Sequence, residues 1–136
     1  MDWVLDASIA LAWSLPDENS DCSDRFFEEV QDGVLWVPAL WWYEISNGLT
    51  VAQSRKRLAQ ADISRFIELY AAVPICTDVD LEPDLVWHFS MLAKDYSISA
   101  YDAAYLELAL RKGIGLATVD RKLATAARRA GVKVFE

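Results

Sequence analysis

Apolar residues come in two rhythms along the chain. Short apolar runs near 2–5, 34–37, 73–76, 115–118 and 132–135 read as strands. Longer stretches near 7–14, 19–32, 39–54, 59–71, 82–95, 100–112 and 121–130 carry apolar positions at helical spacing. Strands alternating with helices predict an α/β domain in which helices cover a parallel sheet. Punctuation agrees: Gly33, Gly113 and Gly131 each follow a helical stretch, where glycine accepts the left-handed cap conformation. Pro38 suits the first turn of a helix and Pro74 the start of an edge strand. In 39–54, Trp41, Ile45, Leu49 and Ala52 share one stripe with Glu44 and Gly48 on its border, so Glu44 is expected to face the end of the sheet.

Composition narrows the class. With 136 residues, 54% of them hydrophobic, the chain is expected to form one domain over 1–136 with its own core. The longest apolar run, 34–43, is broken by Pro38 and is too short to span a bilayer. The opening residues read as a strand with no basic and then hydrophobic leader, so a soluble cytoplasmic protein without membrane attachment is expected. Cys22 and Cys76 stand far apart without ligand-spaced partners and read as reduced thiols. His88, the single histidine, lies in a helical pattern and reads as a surface or core-edge residue.

Charge is unevenly spread. The net charge of −8 argues against nonspecific attraction to nucleic acid, yet residues 1–54 carry −9 and residues 55–136 carry +1. Bases cluster at Arg55, Lys56 and Arg57, at Arg111 and Lys112, at Arg121 and Lys122, and at Arg128 and Arg129. Each cluster reads either as a solvated helix face or as a local surface for phosphates.

Four acids, Asp6, Glu44, Asp102 and Asp120, sit among apolar or small residues. Taken singly, Asp6 and Asp120 read as N-caps, Asp102 as a first-turn acid three residues after Ser99, and Glu44 as a helix-surface acid. Taken together, Asp6 and Asp120 both follow predicted strands, and sites in open parallel sheets lie at the carboxyl ends of strands. Two carboxylates about 4 Å apart repel by roughly 4 kcal/mol at an effective dielectric near 20. Mg²⁺ or Mn²⁺ removes that repulsion, and oxygen-only ligands suit such hard cations.

The segments Leu5-Asp6-Ala7-Ser8, Glu44 with Asn47 and Leu49, Tyr101-Asp102-Ala103-Ala104-Tyr105-Leu106-Glu107-Leu108-Ala109, and Leu116-Ala117-Thr118-Val119-Asp120-Arg121-Lys122-Leu123 keep an order and spacing that resembles the PIN-domain ribonucleases. Within these the chain looks most like the VapC-type toxins of toxin–antitoxin pairs. The resemblance implies a three-layer α/β/α domain with a parallel sheet of about five strands, ordered 3-2-1-4-5. It implies a Mg²⁺-dependent endoribonuclease with Asp6, Glu44, Asp102 and Asp120 as catalytic acids, of which Asp6, Asp102 and Asp120 hold metal. Ser8, Thr118 and Asn47 would support the site, with strand-end hydroxyl bonds the plainer reading of the first two. RNA would be the substrate, and Arg55, Lys56, Arg57, Lys112, Arg121 and Lys122 are the candidate phosphate contacts. A cognate antitoxin and a second copy of the chain are the expected protein partners. Trp13 and Trp42 read as core, interface or base-stacking residues.

Other functions fit less well. A non-catalytic interaction module would not need all four acids. An aspartyl phosphatase calls for an acid two residues after Asp6, where Ser8 stands. Gly113-Ile114-Gly115 lacks the third glycine of a dinucleotide loop and leads into a strand.

Overall fold

The computed structural model describes residues 1–15, 21–30 and 32–136. Four strands, β1 (Trp3–Leu5), β2 (Leu35–Pro38), β3 (Ile75–Asp78) and β4 (Gly115–Ala117), form one parallel sheet in the order β3-β2-β1-β4. Among the described residues the helices are α1 (Ala7–Ser14), α2 (Asp21–Glu29), α3 (Leu40–Ser54), α4 (Gln60–Ala72), α5 (Pro83–Tyr96), α6 (Ala100–Lys112) and α7 (Arg121–Arg129). The second helix was expected over 19–32, and residues 19, 20 and 31 of that span lie outside the described residues.

Helices cover both faces of the sheet. Trp3 meets Phe26 of α2 edge to face, whereas Trp36, whose register partner Val4 points the other way from Trp3, lies under Lys112 of α6. Val4, Leu5, Val37 and Leu116 are therefore fully buried, as expected for strands enclosed on two sides. In α3 the buried residues are Trp41, Ile45, Leu49 and Ala52, the stripe that the spacing defines. Among the described residues no helix is long and apolar enough to cross a membrane.

Two expectations are corrected. Among the described residues the sheet has four strands where about five were expected: residues 132–135 contribute a single parallel bridge, Val134 to Leu116, on the outer edge of β4. Two backbone hydrogen bonds, Leu116 N to Lys133 O at 2.8 Å and Phe135 N to Leu116 O at 3.0 Å, hold that segment together with the packing of Phe135 against both Trp3 and Phe26. Pro38 closes β2 and does not begin α3. Its missing N–H is harmless there because pairing between β1 and β2 has already ended at Val4 and Trp36.

Helix α6 organises the carboxyl edge of the sheet. Ser99 caps it by accepting from Asp102 N at 3.0 Å, and Gly113 ends it in the left-handed conformation at φ 65°. Ala103, Ala104 and Ala109 are buried, and their small side chains let α6 lie close over β1, β2 and β4. The first turn of α6 thus arrives beside the ends of β1 and β4, where the strand order reverses.

Candidate functional site

Asp6 occupies the N-cap position of α1 yet makes no side-chain cap bond. Its Oδ2 instead accepts from Ser8 Oγ and from Thr118 Oγ1, each at 2.6 Å. The two hydroxyls are in turn placed by backbone amides: Val119 N donates to Ser8 Oγ at 3.1 Å and Asp120 N to Thr118 Oγ1 at 3.0 Å. Ser8 Oγ and Thr118 Oγ1 lie 3.3 Å apart, but each has one proton and each gives it to Asp6. Asp6 is 6% exposed, and its carboxylate bridges Ser8 in the first turn of α1 to Thr118, which follows β4.

Asp120 does cap its helix, accepting from Leu123 N through Oδ1 at 3.0 Å, and its Oδ2 lies outside that bond. Asp102 stands half-buried in the first turn of α6. Glu44, half-buried on α3, accepts a 2.5 Å hydrogen bond through Oε1 from the Tyr105 hydroxyl. Sequence reasoning gave Tyr105 no role. Its signal was a phenol among buried small and aliphatic residues, since such a hydroxyl requires a partner.

Electrostatics join the four acids. Burial raises Asp6 from 3.8 to about 6 against the lowering effect of Ser8 and Thr118, and the charges of Glu44 and Asp120 push it further up. Asp102 is also raised from 3.8 to about 6, by burial first and then by Asp120 and Asp6, with Lys122 opposing. Burial likewise raises Glu44, Tyr105 lowers it, and Asp102 raises it. Each acid therefore lies in the field of at least two others.

The donor chemistry fits a hard divalent cation. All the ligating atoms on offer are carboxylate or hydroxyl oxygens, and Asp6 retains Oδ1 outside its two hydroxyl bonds. Among the described residues, however, no three Asp, Glu, Cys or His side chains converge into a ready coordination set. Mg²⁺ tolerates this, because it keeps several waters and often takes only one or two carboxylates.

The remaining expected residues divide by position. Ser8 and Thr118 join Asp6 directly, while Asn47 is exposed one turn beyond Glu44. Arg121 and Lys122 open α7 next to Asp120, and Arg121 lines a groove of about 530 Å³ with Thr118, Asp120, Arg25 and Arg128. Arg55, Lys56 and Arg57 lie past the far end of α3, some eleven residues or about 16 Å along the axis from Glu44. Lys112 sits at the opposite end of α6 from Asp102, its Nζ 3.5 Å from the centre of the Trp36 ring. Trp13 stacks on Phe27, and Trp42 donates through Nε1 to Thr77 Oγ1 at 2.8 Å.

A parallel sheet whose order reverses beside β1, with acids gathered at that reversal, defines an α/β protein with an acidic crevice at its carboxyl edge. The chain belongs to the PIN domain family, which its sequence matches over residues 3–129. It is similar to Ribonuclease VapC3 of Pyrobaculum aerophilum, 30% identical across 91% of this chain and 93% of that protein. In fold it is similar to the crystal structure of PAE2754 from Pyrobaculum aerophilum, with a TM-score of 0.70 at 22% identity over 99% of this chain and 84% of that one.

Proposed function

We propose that the protein is a divalent-metal-dependent endoribonuclease acting as the toxin of a toxin–antitoxin pair. The observation that carries this reading is Asp6: a buried carboxylate at a helix start that forgoes capping and is turned, by two hydroxyls, into a group shared with β4. Similarity to a ribonuclease of the VapC type supports RNA as the substrate. Asp6 and Asp102, with Asp120 through Oδ2, are the residues assigned to hold Mg²⁺ or Mn²⁺. When bound, the ion supplies Lewis-acid polarisation of the phosphodiester and of water. Glu44 is assigned to orient the attacking water and take its proton as the water oxygen bonds to phosphorus, while the bond to the leaving oxygen breaks and that oxygen takes up a proton from solvent. Lys122 and Arg121 are assigned to nonbridging oxygens of the substrate, offsetting the acids' repulsion.

Mapping RNA ends after expression of the chain tests the reading. New ends are expected with the native chain and none with Asp102→Asn; the same ends from both would refute it. Replacing Arg121 and Lys122 by Gln, in the Asp102→Asn background so that RNA stays intact, should weaken binding to single-stranded RNA. The slope of log affinity against log salt should flatten by about 0.7 for each phosphate no longer neutralised. An unchanged slope would remove these two residues from the interface.

The partner assignment rests on apolar surface. A groove of about 390 Å³ between α3 and α4 is lined by Trp42, Ile45, Leu49, Ile63, Ile67 and Tyr70, and we assign it to the antitoxin. The net charge of −8 favours a basic partner. A second copy of the chain is assigned to α5, whose Val86, Trp87 and Met91 are exposed and which buries no residue fully.

A further inference from the structure

We propose that Tyr105 is a positioning residue that holds Glu44 in its working orientation, an inference that rests on the nuclease reading above. The Tyr105 side chain is fully buried, yet it is more than packing. Its hydroxyl has one proton, which goes to Glu44 Oε1 at 2.5 Å. The bond joins the acid of α3 to the body of α6.

Burial and the neighbouring acids Asp6 and Glu44 hold the phenol far above its ordinary titration range, so it remains a donor throughout the working pH. A hydrogen bond from a neutral hydroxyl to a carboxylate is short and strong, and it restricts a side chain that otherwise samples several rotamers. Oε2 of Glu44 remains outside this bond.

A packing role and a positioning role make different demands. Phenylalanine fills nearly the same volume, so a tyrosine retained for packing alone is replaceable at little loss of turnover. If the phenol acts through Glu44, its removal matters only while Glu44 is present.

The test is a double-mutant cycle on the full chain with Mg²⁺ and a single-stranded RNA oligonucleotide. Tyr105→Phe should lower kcat about 10- to 100-fold, as loss of groups orienting a catalytic shell does, with KM and Mn²⁺ affinity within about 2-fold of native. Combined with Glu44→Gln it should cost nothing further, the double variant turning over within about 2-fold of Glu44→Gln alone. Leu108→Ala, which opens a cavity in the same helix, serves as the packing control and should lower Tm while leaving kcat unchanged. The proposal is overturned if Tyr105→Phe keeps native kcat, if its loss multiplies with that of Glu44→Gln, or if Leu108→Ala reproduces its kcat loss. Asp6→Asn, run alongside, separates the two layers: retained cleavage there would defeat the nuclease reading, whereas its loss together with a fully active Tyr105→Phe would defeat only the role of the phenol.

Discussion

Asp6→Asn is expected to abolish RNA cleavage, on the order of 10³-fold or more, and at the same time to make the ion-free protein more stable at neutral pH. Both effects come from one carboxylate. Removing its charge removes a proposed ligand for the ion. The amide oxygen of Asn can still accept from Ser8 and Thr118, so the link between α1 and β4 survives.

The stability gain follows from the raised folded-state value of about 6 against 3.8. Between these values the folded state binds more protons than the unfolded one, so stability is fully present below about 4 and is lost as pH rises through about 6. At pH 7 the ionised, buried Asp6 therefore destabilises the ion-free fold by an amount on the order of 1–3 kcal/mol. Replacement by Asn should recover much of that, raising Tm by several degrees in EDTA at pH 7 and by little at pH 4. A Tm that fell equally at both pH values would mean that Asp6 is structural and that its charge is not held at a cost.

The second large effect concerns ion binding. Mg²⁺ or Mn²⁺ should raise Tm at pH 7 by about 2.7 kcal/mol equivalent when present at 100 times its dissociation constant. The rise should shrink as pH falls through about 6, because Asp6 and Asp102 take up protons there and protons compete with the ion. Asp6→Asn should remove most of it. Differential scanning fluorimetry across pH 4–8, with and without the ion, reads this directly. An ion-induced shift of equal size at pH 4 and pH 7 would place binding elsewhere on the protein, and so would a full shift in Asp6→Asn.

Lys122 bears on the same balance. Its charge lowers Asp102, and it stands in the first turn of α7 shortly after the acid that caps that helix. A base at this point favours the ionised form of Asp102 needed for ligation and remains exposed for phosphate. Arg111, by contrast, is spent on structure, bonding Asp78 at the end of β3 at 2.5 Å and Glu107 at 2.8 Å.

Strands, helices and the buried stripe of α3 were legible in the sequence because period, caps and breakers are local. Asp6 and Asp120 could be placed at strand ends for the same reason, and oxygen-only donors already pointed to a hard cation. What was not legible depends on residues distant in the chain. Asp6 is separated by 112 positions from Thr118, and only their meeting distinguishes a shared carboxylate from a helix cap. Glu44 and Tyr105, 61 positions apart, likewise reveal nothing of their bond until α3 and α6 are packed. Base clusters looked equivalent as letters, yet helix length carries Arg55, Lys56, Arg57 and Lys112 away from the acids and leaves Arg121 and Lys122 beside them. The last segment had a strand's composition, and it pairs with Leu116 through two backbone hydrogen bonds while Phe135 packs on Trp3 and Phe26, leaving one bridge where a longer ladder was expected. The sequence by itself determined the elements and the kind of chemistry their residues can perform. Which acids share a field, which hydroxyls hold them and which bases reach them were decided only by tertiary structure, because hydrogen bonds and electrostatic coupling act over distance in space and not along the chain.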